Sequence, residues 1–311
     1  MPPRHSEEEQ ADFAHALVSV AEQGPLSKPE VDSLSMLEGA DLARLREVWA
    51  PLPAGARARL VVALRSAAEQ RLRLDFSALN QLALEDADWQ VRLAGVRSAI
   101  EDRSPALLKK LIELVTSDPS VEVRFAAAED LARFTLLGEL EDLEPQATTE
   151  LKNRLVGVMR DHNQAAQVRG SALAALGYFS DADTARELAA GFSDPILRLG
   201  AVRAMGRTAD PRWTDRLMPV LGSDDPQLRL EAARALGELE DERAITPLVE
   251  LLEDPEPDVQ LAVIQALGQI GGEEAREALL FVAEAAEEQI REAASKALEE
   301  IEAAEADPMD L

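Results

Sequence analysis

The amino-acid sequence predicts an all-α solenoid built from repeated pairs of helices. Three observations support this fold class: an apolar composition dominated by Ala and Leu, an internal repeat, and turn residues that recur within each repeat. Hydrophobic residues make up 46% of the chain, whereas aromatic residues make up only 4%. Small and medium aliphatic side chains suit closely packed helices, and the β-branched and aromatic residues that favour strands are sparse.

The repeat is clearest in the C-terminal half of the chain. The stretch LRLEAARALGEL, which begins at Leu228, returns as VQLAVIQALGQI from Val259. The same frame begins at Leu197 and, more loosely, at Ile290, so that the four starting positions are each 31 residues apart. Earlier frames begin at Val91, Val123 and Val168. Self-similarity at a fixed period of this size is typical of stacked repeats, and we predict seven units over residues 75–303.

Each unit is predicted to contain two helices joined by a turn. The clearest first helices are expected over residues 76–84, 106–115, 185–192, 214–221 and 244–252. The turn that follows is rich in Asp, Pro and Ser, which suits a helix start because Asp caps free N–H groups and Pro fits the first helical turn. The second helix repeats its apolar residues on one face. In one unit this core face is predicted to be Leu228, Ala232, Ala235, Leu236 and Leu239.

The turn, the Val-Arg type pair, the Ala spacing and the Leu-Gly ending together resemble the HEAT repeat family, in particular its bacterial members related to phycobilin lyases. The resemblance implies a curved array whose second helices line a concave side. It also implies a ladder in which Asp residues of the turns pair with Arg residues of the second helices. The Arg positions are Arg92, Arg124, Arg169, Arg198, Arg229 and Arg291, with Gln260 breaking the series, and the Asp positions are Asp86, Asp118, Asp194, Asp224 and Asp254.

Two roles are open for this Arg row, namely anion binding and structural pairing. We favour structural pairing, because partly buried charges need partners.

Residues 1–74 do not fit the frame of the repeat. Residues 39–50 and 54–73 are predicted to form two amphipathic helices that act as a divergent cap, since a solenoid must cover its first apolar face. At the other end, residues 304–311 form a short acidic tail that we expect to be disordered.

A further helix is predicted over residues 7–22. It carries Phe13, Leu17, Val18 and Ala21 on one side. The sequence leaves open whether this helix packs on the cap.

One repeat is longer than the others, because Val123 and Val168 are 45 residues apart. The excess falls near residues 135–149, between two predicted helices. Insertions in repeat arrays map to loops and often to binding faces. The alternatives are therefore a longer connecting loop and a functional insertion.

The chain offers no constellation for catalysis. It contains no Cys, which excludes disulfides, thiolate metal sites and cysteine nucleophiles. Its three His residues, His5, His15 and His162, are isolated and none is followed by Glu, unlike the His-Glu pairs of the HEAT-like iron hydroxylases that resemble deoxyhypusine hydroxylase. Isolated His residues do not supply the clustered ligands of a zinc or iron site. We therefore expect no enzyme activity, no metal and no cofactor.

Charge and hydropathy narrow the partners and the location. The net charge of -27 repels phosphate backbones, which argues against a nucleic-acid partner. No apolar run approaches the roughly 20 residues that span a bilayer, so no membrane partner is expected. The N-terminus shows no secretory signal, and the expected location is the cytoplasm.

The remaining functional information lies on the second helices. Two positions of each unit point away from its own core and are predicted to carry Leu and Arg side by side. The candidate partner-binding residues are Leu93, Arg97, Phe125, Leu199, Arg203, Leu230, Arg234, Leu261 and Gln265. Apolar and Arg anchors are typical of interfaces, which predicts a scaffold or adaptor that holds a protein or peptide segment.

Two alternatives remain beside this hypothesis. The Leu side chains could instead wedge between adjacent repeats, with the Arg methylenes covering them. The resemblance also allows an accessory factor for cofactor (bilin) attachment, of the phycobilin-lyase kind, although no chromophore site is visible in the sequence.

Overall fold

The computed structural model describes residues 7–71, 73–100, 102–285 and 287–306. These residues form helices joined by short turns, and no β-strand occurs among them. The chain divides into two compact units, residues 1–131 and 132–311. The predicted all-α fold of repeated helix pairs is confirmed.

The first unit begins with two helices that precede the repeated pairs. Its helices are α1 (Glu7–Glu22), α2 (Lys28–Ser33), α3 (Gly39–Trp49), α4 (Ala54–Gln70), α5 (Ser77–Leu84), α6 (Trp89–Ser98), α7 (Pro105–Ser117) and the first part of α8 (Val121–Glu139). Within this unit α4 contacts α6, so that successive second helices lie side by side.

The second unit continues the same arrangement of first and second helices. Its helices after α8 are α9 (Pro145–Arg160), α10 (Ala166–Ala175), α11 (Ala182–Ser193), α12 (Arg198–Arg207), α13 (Thr214–Leu217), α14 (Pro226–Glu238), α15 (Ile245–Glu250), α16 (Pro257–Ile270), α17 (Gly272–Ala285) and α18 (Glu288–Ala306). The second helices contact one another in series, from α10 through α12, α14 and α16 to α18.

Helix α1 packs on α2 and α3 within the first unit. The sequence left open whether this helix packs on the predicted cap, and the structure shows that it does. Phe13 and Leu17 lie buried in the same apolar cluster as Leu45 and Trp49 of α3. However, the predicted apolar side is partly wrong, because Val18 is exposed, as is Ala21. The buried residues are Phe13, Ala16, Leu17 and Val20. Their spacing of three and four residues defines a face rotated from the predicted one.

The long repeat contains extended helices in place of the predicted loop. Helix α8 continues to Glu139 and α9 begins at Pro145, so only residues 140–144 connect them. Thr135 is fully buried, and its hydroxyl donates to the carbonyl oxygen of Ala175 at 2.7 Å. Residues 135–139 belong to α8 and residues 145–149 belong to α9, so the alternative of a connecting loop over residues 135–149 is wrong. The alternative of a functional insertion stays a prediction.

Glycine allows the second helices of the second unit to approach one another closely. A Cβ atom on Gly206 of α12 would lie 2.6 Å from the Cα atom of Ala235, and one on Gly237 of α14 would lie 2.8 Å from the Cα atom of Ala266. Any larger residue would force the helices apart, since packed backbones leave no room for a methyl group. The recurring Leu-Gly ending thus sets the spacing of the stacked helices.

Candidate protein-binding surface of the second helices

Two of the six arginines of the predicted Arg–Asp ladder pair with an aspartate of a turn among the described residues. The Nε and Nη2 atoms of Arg92 donate to the carboxylate of Asp118 at 2.7 and 2.9 Å. Arg229 repeats this geometry on Asp254, also at 2.7 and 2.9 Å. The hydrogen bonds from Arg229 hold the pKa of the Asp254 carboxyl below its usual range. Both aspartates are buried, so these pairs are structural, as the sequence predicted.

The ladder also includes helices α3 and α4, which lie outside the predicted repeat frame. Arg57 of α4 lies 2.7 Å from the carboxylate of Asp86, measured from its Nε atom, and its Nη2 atom donates to the same carboxylate at 2.8 Å. The indole N–H of Trp49 donates to that carboxylate as well, at 3.0 Å. Helices α3 and α4 are therefore joined to the next pair by the same contact as the later pairs.

Three other positions of the predicted row fasten the second helix to the backbone of the preceding turn, a contact that Arg92 and Arg229 also make. Arg124, Arg198 and Gln260 each donate to the backbone carbonyl six residues before them. The side-chain amide of Gln260 donates to the carbonyl oxygen of Asp254 at 2.8 Å. Gln260 therefore keeps the contact to the turn backbone that an arginine makes at this position. Asp194, a predicted partner, accepts the backbone N–H of Ile196.

The nine candidate partner-binding residues differ in exposure. Arg97, Arg234 and Gln265 are exposed, whereas Leu93, Phe125, Leu199, Arg203 and Leu261 are half-buried. Leu230 is only 7% exposed. Its predicted exposure is wrong, because α14 contacts second helices on both sides. The surface is consequently more polar than the sequence indicated.

Arg203 is held by a carboxylate that lies outside the predicted binding residues. Its Nε and Nη2 atoms donate to Glu231 of the next second helix at 3.0 and 2.6 Å. Glu231 is 4% exposed, and Arg234 lies 3.6 Å from the same carboxylate. The only available signal was an Arg and a Glu that lie 28 residues apart on consecutive second helices. Arg203 is thus a packing residue as well as a surface residue.

A second charged contact crosses the ends of the same two helices. The carboxylate of Glu238 lies over Gly206, at 2.7 Å from the position of an added Cβ. Glu238 is exposed as a whole residue, but partial desolvation of its carboxyl group raises its pKa above the usual range, and the nearby charge of Arg207 opposes that effect. Arg207 itself donates to the carbonyl oxygen of Ala174 at 2.9 Å. The face of α12 and α14 therefore carries negative as well as positive groups.

The described part of the chain holds no group of three or more His, Asp and Glu residues placed to bind a metal ion. His15 and His162 are exposed, and His5 lies outside the described residues. Among the helices that the structure describes, none is both long enough and apolar enough to cross a bilayer.

Comparison with known proteins gives one family. A family model described as HEAT repeats matches residues 76–156, 187–260 and 214–299. No curated protein matches the sequence.

Among solved structures, the chain is similar to Escherichia coli YibA, with 16% identity, a TM-score of 0.43 and coverage of 97% of this chain and 99% of that one. It is similar to importin beta, with 15% identity, a TM-score of 0.45 and coverage of 94% and 48% respectively. It is also similar to human deoxyhypusine hydroxylase, with 19% identity, a TM-score of 0.36 and coverage of 85% and 96%.

Proposed function

The chain belongs to the HEAT repeat family, and on that premise we propose that it is a non-catalytic scaffold or adaptor that holds a partner protein against its second helices. The observation that carries this proposal is the surface of α12, α14 and α16. There, exposed Arg234 and Gln265 lie on helices whose neighbouring surface includes the half-buried Leu199 and Leu261. Arg beside partly exposed apolar groups is the composition that interfaces favour.

The charge pattern of this surface indicates the kind of segment that it holds. Glu231 and Glu238 offset the charges of Arg203 and Arg207, whereas the Arg234 side chain is 52% exposed and only weakly engaged by Glu231, at 3.6 Å. Arg234 is therefore the cation best placed to receive an acidic group. We infer a partner segment that is amphipathic and carries acidic residues.

The variant Arg234→Gln tests this proposal. We expect the affinity for the partner to fall by about tenfold, because an interface arginine commonly contributes 1–2 kcal/mol or more. The partner is first captured from the source cells and identified by mass spectrometry, and its affinity is then measured by calorimetry with purified proteins.

The matched control is Arg154→Gln on the first helix α9. Its side chain is 54% exposed, against 52% for Arg234, and it lies 3.7 Å from Glu150 of its own helix. The control removes the same charge from a comparable environment, and its affinity should change by less than about twofold. Equal affinities in the two variants would place the partner away from the second helices.

A further inference from the structure

A groove in the first unit lies between two consecutive turns of the repeat. It has a volume of about 800 Å³ and is lined by the turn that joins α5 to α6 and the turn that joins α7 to α8. Neither Leu93 nor Arg97 of the second-helix surface lines it. The groove is therefore separate from the surface of the proposed function.

The groove contains an aromatic side chain that packing does not account for. Trp89, the first residue of α6, is 40% exposed, whereas Trp49 and Trp213 are 4% and 5% exposed. Ala87 and Pro119 are exposed and add apolar surface to the lining, whereas Leu84 and Leu114 lie buried behind it. An exposed indole in a groove offers both apolar area and a π face that attracts cations.

The charged residues of the groove do not balance. Asp118 is paired with Arg92, and Glu113 is paired with Lys110 at 3.1 Å. Three further carboxylates of the lining form no ion pair among the described contacts, namely Glu85, Asp88 and Glu122. Asp88 accepts the backbone N–H of Gln90, and Glu122 accepts the hydroxyl of Ser120, so both keep their negative charge. The rim of the groove is therefore negative around an exposed indole.

From this juxtaposition we propose that the groove binds a basic peptide segment of a partner protein, with an Arg or Lys side chain against Trp89 and the rim carboxylates of Glu85, Asp88 and Glu122 around it. A guanidinium or ammonium group gains from the indole face and from the carboxylates together. In an extended segment, alternate side chains face opposite ways, so apolar residues reach the floor while basic residues reach the rim. The same negative rim repels phosphate groups, which disfavours nucleic acid and phospholipid.

The probe is an acetylated and amidated octapeptide of alternating arginine and valine, compared with its counterpart in which glutamate replaces arginine. Binding is measured by calorimetry at low and at high salt. The wild-type chain should bind the arginine peptide, bind it more weakly at high salt, and not bind the glutamate peptide. Equal binding of the two peptides, or no binding tighter than about 1 mM, would overturn the proposal.

Site-directed variants separate the groove from general attraction to an acidic protein. Trp89→Ala should lower the affinity for the arginine peptide about tenfold. The matched control is Phe281→Ala, which removes an exposed aromatic residue (71% exposed) from the second unit and should change the affinity less than about twofold. If Trp89→Ala binds like the wild-type chain, the peptide does not use the groove.

A second pair of variants keeps the test decisive if Trp89→Ala does not fold. Glu85 and Glu122 are exposed, so the double variant Glu85→Gln/Glu122→Gln should leave the fold intact and lower the affinity about fivefold or more. Its control is Glu250→Gln/Glu253→Gln, two exposed acidic residues of the second unit. An equal loss in both double variants would show that the peptide responds to total charge alone, and would overturn the proposal.

Discussion

Replacing Gly200 with alanine should destabilise the second unit by about 2–4 kcal/mol, even though alanine is the better helix former. Gly200 lies in α12 where that helix crosses α10. An added Cβ would overlap the carbonyl oxygen of Gly170, and it would lie 2.8 Å and 2.9 Å from the carbonyl carbon and the Cα atom of the same residue. The obstacle is backbone, which cannot rotate away as a side chain can, so the two helices must separate.

The control for this prediction is the other glycine of the same contact. Gly170 also lies inside a helix, but an added Cβ there would meet no atom within 4 Å. Gly170→Ala should therefore stabilise the protein by up to about 1 kcal/mol through helix propensity. Urea denaturation followed by circular dichroism measures both variants. A shift of both midpoints in the same direction would contradict the close approach of α10 and α12.

Replacing Arg203 with methionine should cost about 3–5 kcal/mol, because it leaves the carboxylate of Glu231 buried with weaker compensation. Arg203 supplies two hydrogen bonds to that carboxylate, at 3.0 and 2.6 Å, whereas Arg234 approaches it only to 3.6 Å. The stability change is measured by the same urea denaturation.

The double variant Arg203→Met/Glu231→Met identifies the cause of that loss. Since both charges are removed, most of the lost stability should return, as is found when a buried ion pair is replaced by apolar residues of similar volume. By comparison, Arg234→Gln should change stability by no more than about 1 kcal/mol, because its side chain is half exposed. A double variant no more stable than Arg203→Met would mean that the loss comes from packing rather than from the buried charge.

The helix pairs could be predicted because their signals, the turn residues and the apolar spacing, come from residues that lie close together in the chain. The predicted helix over residues 7–22 agrees with α1. Helix α2 escaped prediction although Ser27 and Glu30 form a capping box at its start. The predicted first helix over residues 214–221 is α-helical only over Thr214–Leu217 and continues as a 3₁₀ helix over Met218–Gly222. Pro219 explains the change, since proline has no N–H for the α-helical hydrogen bond.

The candidate surface could be predicted only in part, because exposure depends on neighbouring repeats. A helical projection placed Leu230 on an open face, but it takes no account of the helices on either side of α14. Glu231 was missed for a related reason, since its role comes from Arg203 on another repeat. The ladder was predicted from the family resemblance, yet its extension to Arg57 and Asp86 required the structure.

Hydroxyl-radical footprinting of the chain with and without its captured partner tests most directly whether the second helices hold that partner. We expect modification of Leu199 on α12 and Leu261 on α16 to fall in the complex. Leu280 and Phe281 on the first helix α17, which are 49% and 71% exposed, should be modified equally in both samples. Protection of Leu280 and Phe281 with unchanged modification of Leu199 and Leu261 would contradict the proposed function and place the partner on the first helices.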